Sequence, residues 1–138
     1  TDSSQLLSLV VARDLIKDCG YIDGEFDRKN TGVILGVGGG QKLITPLVSR
    51  LQGPVWEKVL RSSGVAENDI QTLIEKMKKA YIPWVENSFP GMLGNVIAGR
   101  VANRFDLGGT NCVVDAACAG SLAAMKMAIS DLLEYKAN

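Results

Sequence analysis

The sequence predicts an α/β layered fold. Three observations carry this. β-prone runs at residues 31–37 and 111–115 (Thr-Gly-Val-Ile-Leu-Gly-Val and Asn-Cys-Val-Val-Asp) read as buried strands. The segments around them carry apolar residues at helical spacing. No internal repeat or low-complexity stretch interrupts the alternation. Two short strands make a poor sheet, so the chain reads as part of a larger fold.

The elements follow in order. Asp2, three residues before Gln5, caps a helix whose apolar stripe is Leu6, Leu7, Val10, Val11 and Leu15, and which stops near Gly20. Residues 21–30 are polar and read as a loop. The first strand follows. Residues 41–63 are broken by Pro46, Gly53 and Pro54, and a short helix carrying Trp56, Val59 and Leu60 is expected after Pro54. Asn68 or Asp69 caps the next helix, with Ile70, Leu73, Ile74 and Met77 on one face and a Glu75–Lys79 pair on the other. Lys76, Lys78 and Lys79 read as a solvated face, with docking of a carrier protein as the alternative. Residues 83–90 read as a loop bearing Trp84 and Phe89. Residues 91–105 read as a helix with Leu93, Val96, Ile97 and Val101 inward, its Gly94 and Gly99 implying close backbone packing. A turn through Gly108 and Gly109 leads into the second strand. A last helix over 121–135 turns Leu122, Met125, Ile129, Leu132 and Leu133 to the core.

Composition narrows the function. The 138 residues suit one domain or part of one. Fifteen basic residues balance fifteen acidic ones, which leaves no electrostatic footprint for nucleic acid or an anionic membrane. No apolar run approaches bilayer length. Three cysteines without a CxxC pair do not form a disulfide framework, and a reducing cytoplasmic setting is expected. The chain has no histidine, the commonest zinc ligand and general base. Neither a resident cofactor nor a metal is expected. The glycine run at 36–40, followed by Gln41 and Lys42, fails both phosphate-binding patterns, because no Gly-Lys-Ser/Thr occurs and position 41 is not glycine. It reads as a tight strand exit.

Cys118 is the candidate catalytic residue. It lies where the second strand hands over to the last helix. There the free amides and dipole of a helix start favour thiolate over thiol. Ala116, Ala117, Ala119 and Gly120 leave room for a substrate to reach the sulfur, as covalent acyl transfer requires. The competing reading is a small buried hydrophobe. Cys19, at a helix end, and Cys112, within a strand, read as structural.

The run Val113-Val114-Asp115-Ala116-Ala117-Cys118-Ala119-Gly120-Ser121-Leu122 closely resembles the active-site segment of β-ketoacyl synthases of the thiolase superfamily. Residues 98–109, Ala-Gly-Arg-Val-Ala-Asn-Arg-Phe-Asp-Leu-Gly-Gly, resemble the stretch that precedes it there. Residues 6–21 are similar to the first long helix of such domains and residues 32–38 to the next strand. The stretch 115–124, Asp-Ala-Ala-Cys-Ala-Gly-Ser-Leu-Ala-Ala, is most similar to ketosynthase domains of polyunsaturated fatty acid synthases and related polyketide-type multienzymes.

The resemblance implies the N-terminal half of a thiolase-like, αβαβα-layered domain, truncated to residues 1–138, with the first family strand and the C-terminal half absent. It implies that Cys118 takes an acyl group from the phosphopantetheine arm of an acyl carrier protein. Decarboxylative condensation with a malonyl-carrier protein then follows, with an oxyanion hole partly from the Cys118 backbone N–H. The family's two histidines and supporting lysine belong to the half that follows, so this segment alone is expected to be inactive. A homodimer paired through residues 111–115 is also implied, with residues 89–96 near the acyl channel. The alternatives are a thiolase-like coenzyme A enzyme, a small flavodoxin-like binding module and a ketosynthase-like protein that dimerises without catalysing.

Overall fold

The computed structural model describes residues 1–21, 25–38 and 42–134. In chain order its elements are α1 (Ser3–Asp18), β1 (Val33–Gly36), α2 (Ile44–Leu51), α3 (Gly53–Ser62), α4 (Glu67–Lys79), α5 (Ser88–Met92), α6 (Asn95–Phe105), β2 (Asn111–Val114) and α7 (Gly120–Leu133). Single 3-10 turns occur at Arg28–Asn30 and Ala117–Ala119. The chain divides into two compact units, one of residues 41–92 and the other comprising the rest.

In the unit that contains Cys118, β1 and β2 pair in parallel, Val33 opposite Asn111 and Gly36 opposite Val114. One further bond, from Val37 N–H to the Val114 carbonyl at 3.0 Å, extends the pairing past the end of β1. Side chains alternate across a strand. Val33, Leu35 and Val113 join Ala98, Val101 and Ala102 of α6, with Leu9 and Ala12 of α1, in the apolar core. Gly36, one position out of phase, meets the start of α7 instead. The sheet therefore lies between α6 and α7. The loop after α6 is fastened by Arg28, whose guanidinium donates to the Phe105 carbonyl at 2.8 Å. The backbone N–H of Gly108 also donates to the Arg28 carbonyl at 2.8 Å.

The expected α1 forms with Asp2 as its cap, accepting the Ser4 N–H at 2.9 Å. Gln5 does not complete a capping box; its side-chain amide donates to the Leu93 carbonyl at 3.3 Å. Two faces differ from expectation. Leu6, Leu7, Val10, Val11 and Leu15 of α1 are exposed, and the helix packs through Leu9 and Ala12. On α7 the expected core face is also outside: Leu122 is 70% and Leu133 74% exposed, with Met125, Ile129 and Leu132 about half exposed. The reason is steric. Of α7, only Gly120 and Ala124 are buried, and these small residues let it lie close on the sheet, so its larger side chains project away. A groove of about 260 Å³ lined by Val11, Leu15, Phe26 and Ile34, among others, runs along α1 and β1.

Within residues 41–92, α3 packs on α4 and on α2. Helix α2 was not expected, because Pro46 read as a breaker. It stands third in the helix, in the first turn, where no N–H donor is needed. Likewise α5 occupies part of the expected aromatic loop, and its Phe89 is exposed. Helix α4 starts at Glu67 with no side-chain cap, in place of capping by Asn68 or Asp69. Ile70 and Ile74 are buried, whereas Leu73 and Met77 are 42% and 38% exposed. Lys76, Lys78 and Lys79 are exposed in its last turn, where they favour the helix dipole.

Among the described residues Arg61 and Glu67 form an ion pair at 2.7 Å, whereas the expected Glu75–Lys79 pair does not form. Hydrogen bonds from Arg61 and then Gln71 hold the Glu67 carboxyl down to about 2. A carboxylate held low stabilises the fold at pH values above its unfolded value of about 4.3. That contribution is lost as pH falls toward 2. Both side chains are 54% exposed, so the effect on stability is small and salt-screened. Arg61→Ala is expected to return the Glu67 titration toward the ordinary carboxylate range with little change in melting temperature. Carbon-detected NMR titration of the Glu67 carboxyl checks this.

Candidate active site

The site is built by the exit from β2. Asp115 follows the last strand residue, and its Oδ1 accepts the Ala117 N–H at 3.1 Å. An aspartate bonding the backbone two residues on is a local turn former. Ala117 has φ 46°, in the left-handed region that costs a residue with a Cβ about 1–2 kcal/mol. The Ala119 N–H then donates to the Ala116 carbonyl at 2.9 Å, closing the 3-10 turn, and α7 starts at Gly120 with no side-chain cap. Cys118 stands at the middle of that turn, exposed, with exposed residues on either side. It is therefore not a buried hydrophobe. Cys118 thus stands just ahead of the N-terminus of α7, whose first amide, that of Gly120, donates back to the Ala117 carbonyl.

The neighbouring strand, β1, is positioned against this turn by a close contact. At Gly36 an added Cβ would lie 2.5 Å from the Gly120 carbonyl carbon and 2.7 Å from the Ser121 nitrogen. Only glycine lets the end of β1 touch the start of α7. Gly38, two residues on, faces the site turn directly: an added Cβ there would lie 2.8 Å from Asp115 Oδ1. Gly36 and Gly38 thus serve close packing. Residues 39–41, the remainder of that run up to Gln41, lie outside the described residues. The tight packing inferred for Gly99 is not found; its nearest neighbour to an added Cβ is the Asn111 amide at 3.8 Å, an ordinary contact. Gly94 precedes α6 and lies outside its interior.

The other two thiols are placed differently. Cys112 lies within β2, half-buried and opposite Ile34. Cys19 caps the C-terminus of α1 and is exposed, so it is not a packing residue. Among the described residues no group of histidine, cysteine, aspartate and glutamate is arranged to hold a metal ion. No helix among them is long and apolar enough to cross a membrane.

The family model for the β-ketoacyl synthase N-terminal domain matches residues 1–138. The chain belongs to the β-ketoacyl synthase family. It is 48% identical, over 133 residues, to a polyunsaturated fatty acid synthase polypeptide of Thraustochytrium sp.. The match takes in 96% of this chain and 5% of that relative's length. No solved structure matches the chain significantly. The likeness to polyunsaturated fatty acid synthases that residues 115–124 carry thus extends over almost the whole chain. The small parallel sheet between helices is the corresponding thiolase-like α/β arrangement.

Sequence reasoning singled out Cys118 and missed Asp115 as the residue that shapes its turn. The signal for it was an aspartate two positions before a residue that must take a strained backbone conformation.

Proposed function

We propose that this chain supplies the nucleophile of a β-ketoacyl synthase acting in fatty acid synthesis, and that the nucleophile is Cys118. The observation that carries the reading is the exposure of Cys118 on a strained strand-to-helix turn in a member of this family. The Cys118 thiolate would attack the carbonyl of an acyl thioester on a carrier protein's phosphopantetheine. The carbon–sulfur bond to the phosphopantetheine breaks, and its sulfur leaves and takes up a proton. A malonyl-carrier protein then loses carbon dioxide. The electron pair left on its α-carbon attacks the acyl carbonyl and expels the Cys118 thiolate, leaving a 3-ketoacyl chain two carbons longer on the carrier. Thioester exchange suits a thiol because it is both nucleophile and leaving group. The Cys118 backbone N–H would be one donor to the developing oxyanion.

Decarboxylation and proton transfer need groups this chain lacks, since it contains no histidine. They would come from a second half of the domain. The exposed apolar faces of α1 and α7 support such a half, because contiguous apolar surface of this kind ordinarily lies against a partner. In this reading residues 1–138 form a partial N-terminal domain that does not complete the reaction alone. Its partner is an acyl carrier protein, and a cytoplasmic enzyme is expected. A homodimer would use the edge of β2 that faces away from β1. That edge is unpaired among the described residues.

The test of the thiol's identity is the neighbouring cysteine. Cys112→Ser in the full chain is expected to retain acyl loading within about twofold, because Cys112 sits in a strand. Loss of loading in a variant with an unchanged circular dichroism spectrum would assign the chemistry to the wrong sulfur.

A further inference from the structure

We propose that Gly38 and Asp115 act as a positioning pair for Cys118, Gly38 keeping open the space from which the Asp115 carboxylate holds the Cys118 turn. The inference rests on the assignment of Cys118 as the acyl acceptor and adds to it two residues that touch no substrate. Three observations converge. Ala117, next to Cys118, adopts φ 46°, which alanine does not hold without help. Asp115 Oδ1 provides that help by accepting the Ala117 N–H at 3.1 Å. The same oxygen lies only 2.8 Å from where a Cβ on residue 38 would be, and that Cβ would also stand 3.7 Å from the Ala117 Cα.

Asp115 is a short side chain free to rotate. A methyl group at position 38 is therefore accommodated by displacing the carboxylate, and the displacement removes its bond to Ala117. The β1 exit thus controls the Cys118 turn from the neighbouring strand. This gives Gly38 a role that phosphate binding does not supply. The interaction needs an acceptor oxygen at position 115 rather than a charge. It also becomes dispensable once residue 117 reaches positive φ without strain, which glycine does.

The experiment measures acyl transfer to Cys118 in the full chain. A hexanoyl thioester of N-acetylcysteamine serves as donor, with peptide-level mass spectrometry as readout and thermal melting recorded in parallel. Asp115→Ala and Gly38→Ala are each expected to slow acylation about fivefold, the loss of one hydrogen bond. Asp115→Asn, which keeps the acceptor, is expected to stay within twofold of wild type. Gly38→Ala added to Asp115→Ala should have no further effect, because both act through one bond. Ala117→Gly should restore the rate in either single variant, an outcome that a general loss of stability does not produce. Unchanged acylation in Gly38→Ala, or failure of Ala117→Gly to restore the rate, overturns the proposal. If Asp115→Ala does not fold, the Gly38→Ala and Gly38→Ala/Ala117→Gly pair decides alone. Absence of acyl on Cys118 in the wild-type protein would instead defeat the assignment of the nucleophile, and the positioning role with it.

Discussion

Cys118→Ala in the full chain is expected to lose acyl loading completely while keeping its fold. The size of the effect follows from covalent catalysis. An acyl-enzyme needs a nucleophile at the one position where an incoming thioester meets it, and a methyl group offers none. The stability cost should be small, because Cys118 is exposed and contributes little to the core. The change separates chemistry from folding, which is what makes it informative. Loading by an acyl thioester donor is measured by mass spectrometry and folding by circular dichroism. Full acyl occupancy in the variant, at another cysteine, would mean that the turn before α7 is not the site of acyl transfer.

Gly36→Ala is expected to have the largest effect on stability, about 3 kcal/mol, at the upper end of the usual cost of overpacking. Its new Cβ would meet backbone atoms of Gly120 and Ser121 at 2.5–2.7 Å, and neither can move without shifting α7 from β1. The comparison is Gly120→Ala on the other side of the same contact. An added Cβ there has its nearest neighbour at 3.7 Å, an ordinary distance, so that variant should melt close to wild type. The asymmetry is specific to the way α7 leans on the strand. Denaturant unfolding of the two variants measures it. Equal stability of the two would mean that β1 and α7 do not approach as described. Because Gly120 lies two residues after Cys118, the Gly36→Ala protein should also load acyl groups more slowly.

Much of this arrangement is legible in the residues, and the parts that are not have definite causes. Both strands and α1 follow from β-branched runs and an aspartate cap. Cys118 stands out because residues 113–122 resemble the β-ketoacyl synthase active-site segment; its position at a strand-to-helix junction alone leaves a small buried hydrophobe as the competing reading. Helix α2 is hidden by Pro46, because proline in a first turn looks like a breaker until the start of the helix is known. The outward faces of α1 and α7 are misread for a different reason. A helix with apolar residues over most of its circumference does not reveal which stripe meets the sheet. Gly120 and Ala124, with the least apolar surface, make the close contact. The roles of Gly36 and Gly38 depend on distances between segments far apart in sequence, which no local pattern carries.

Every role described above depends on transfer of the acyl group to Cys118. The most direct measurement is peptide mapping of the wild-type full chain after brief incubation with an acyl thioester donor. The acyl mass is expected on the peptide that contains Cys118, hydroxylamine-labile as a thioester is, with Cys19 and Cys112 unmodified. Acyl mass on either of those two cysteines, or on none, would contradict the assignment of Cys118.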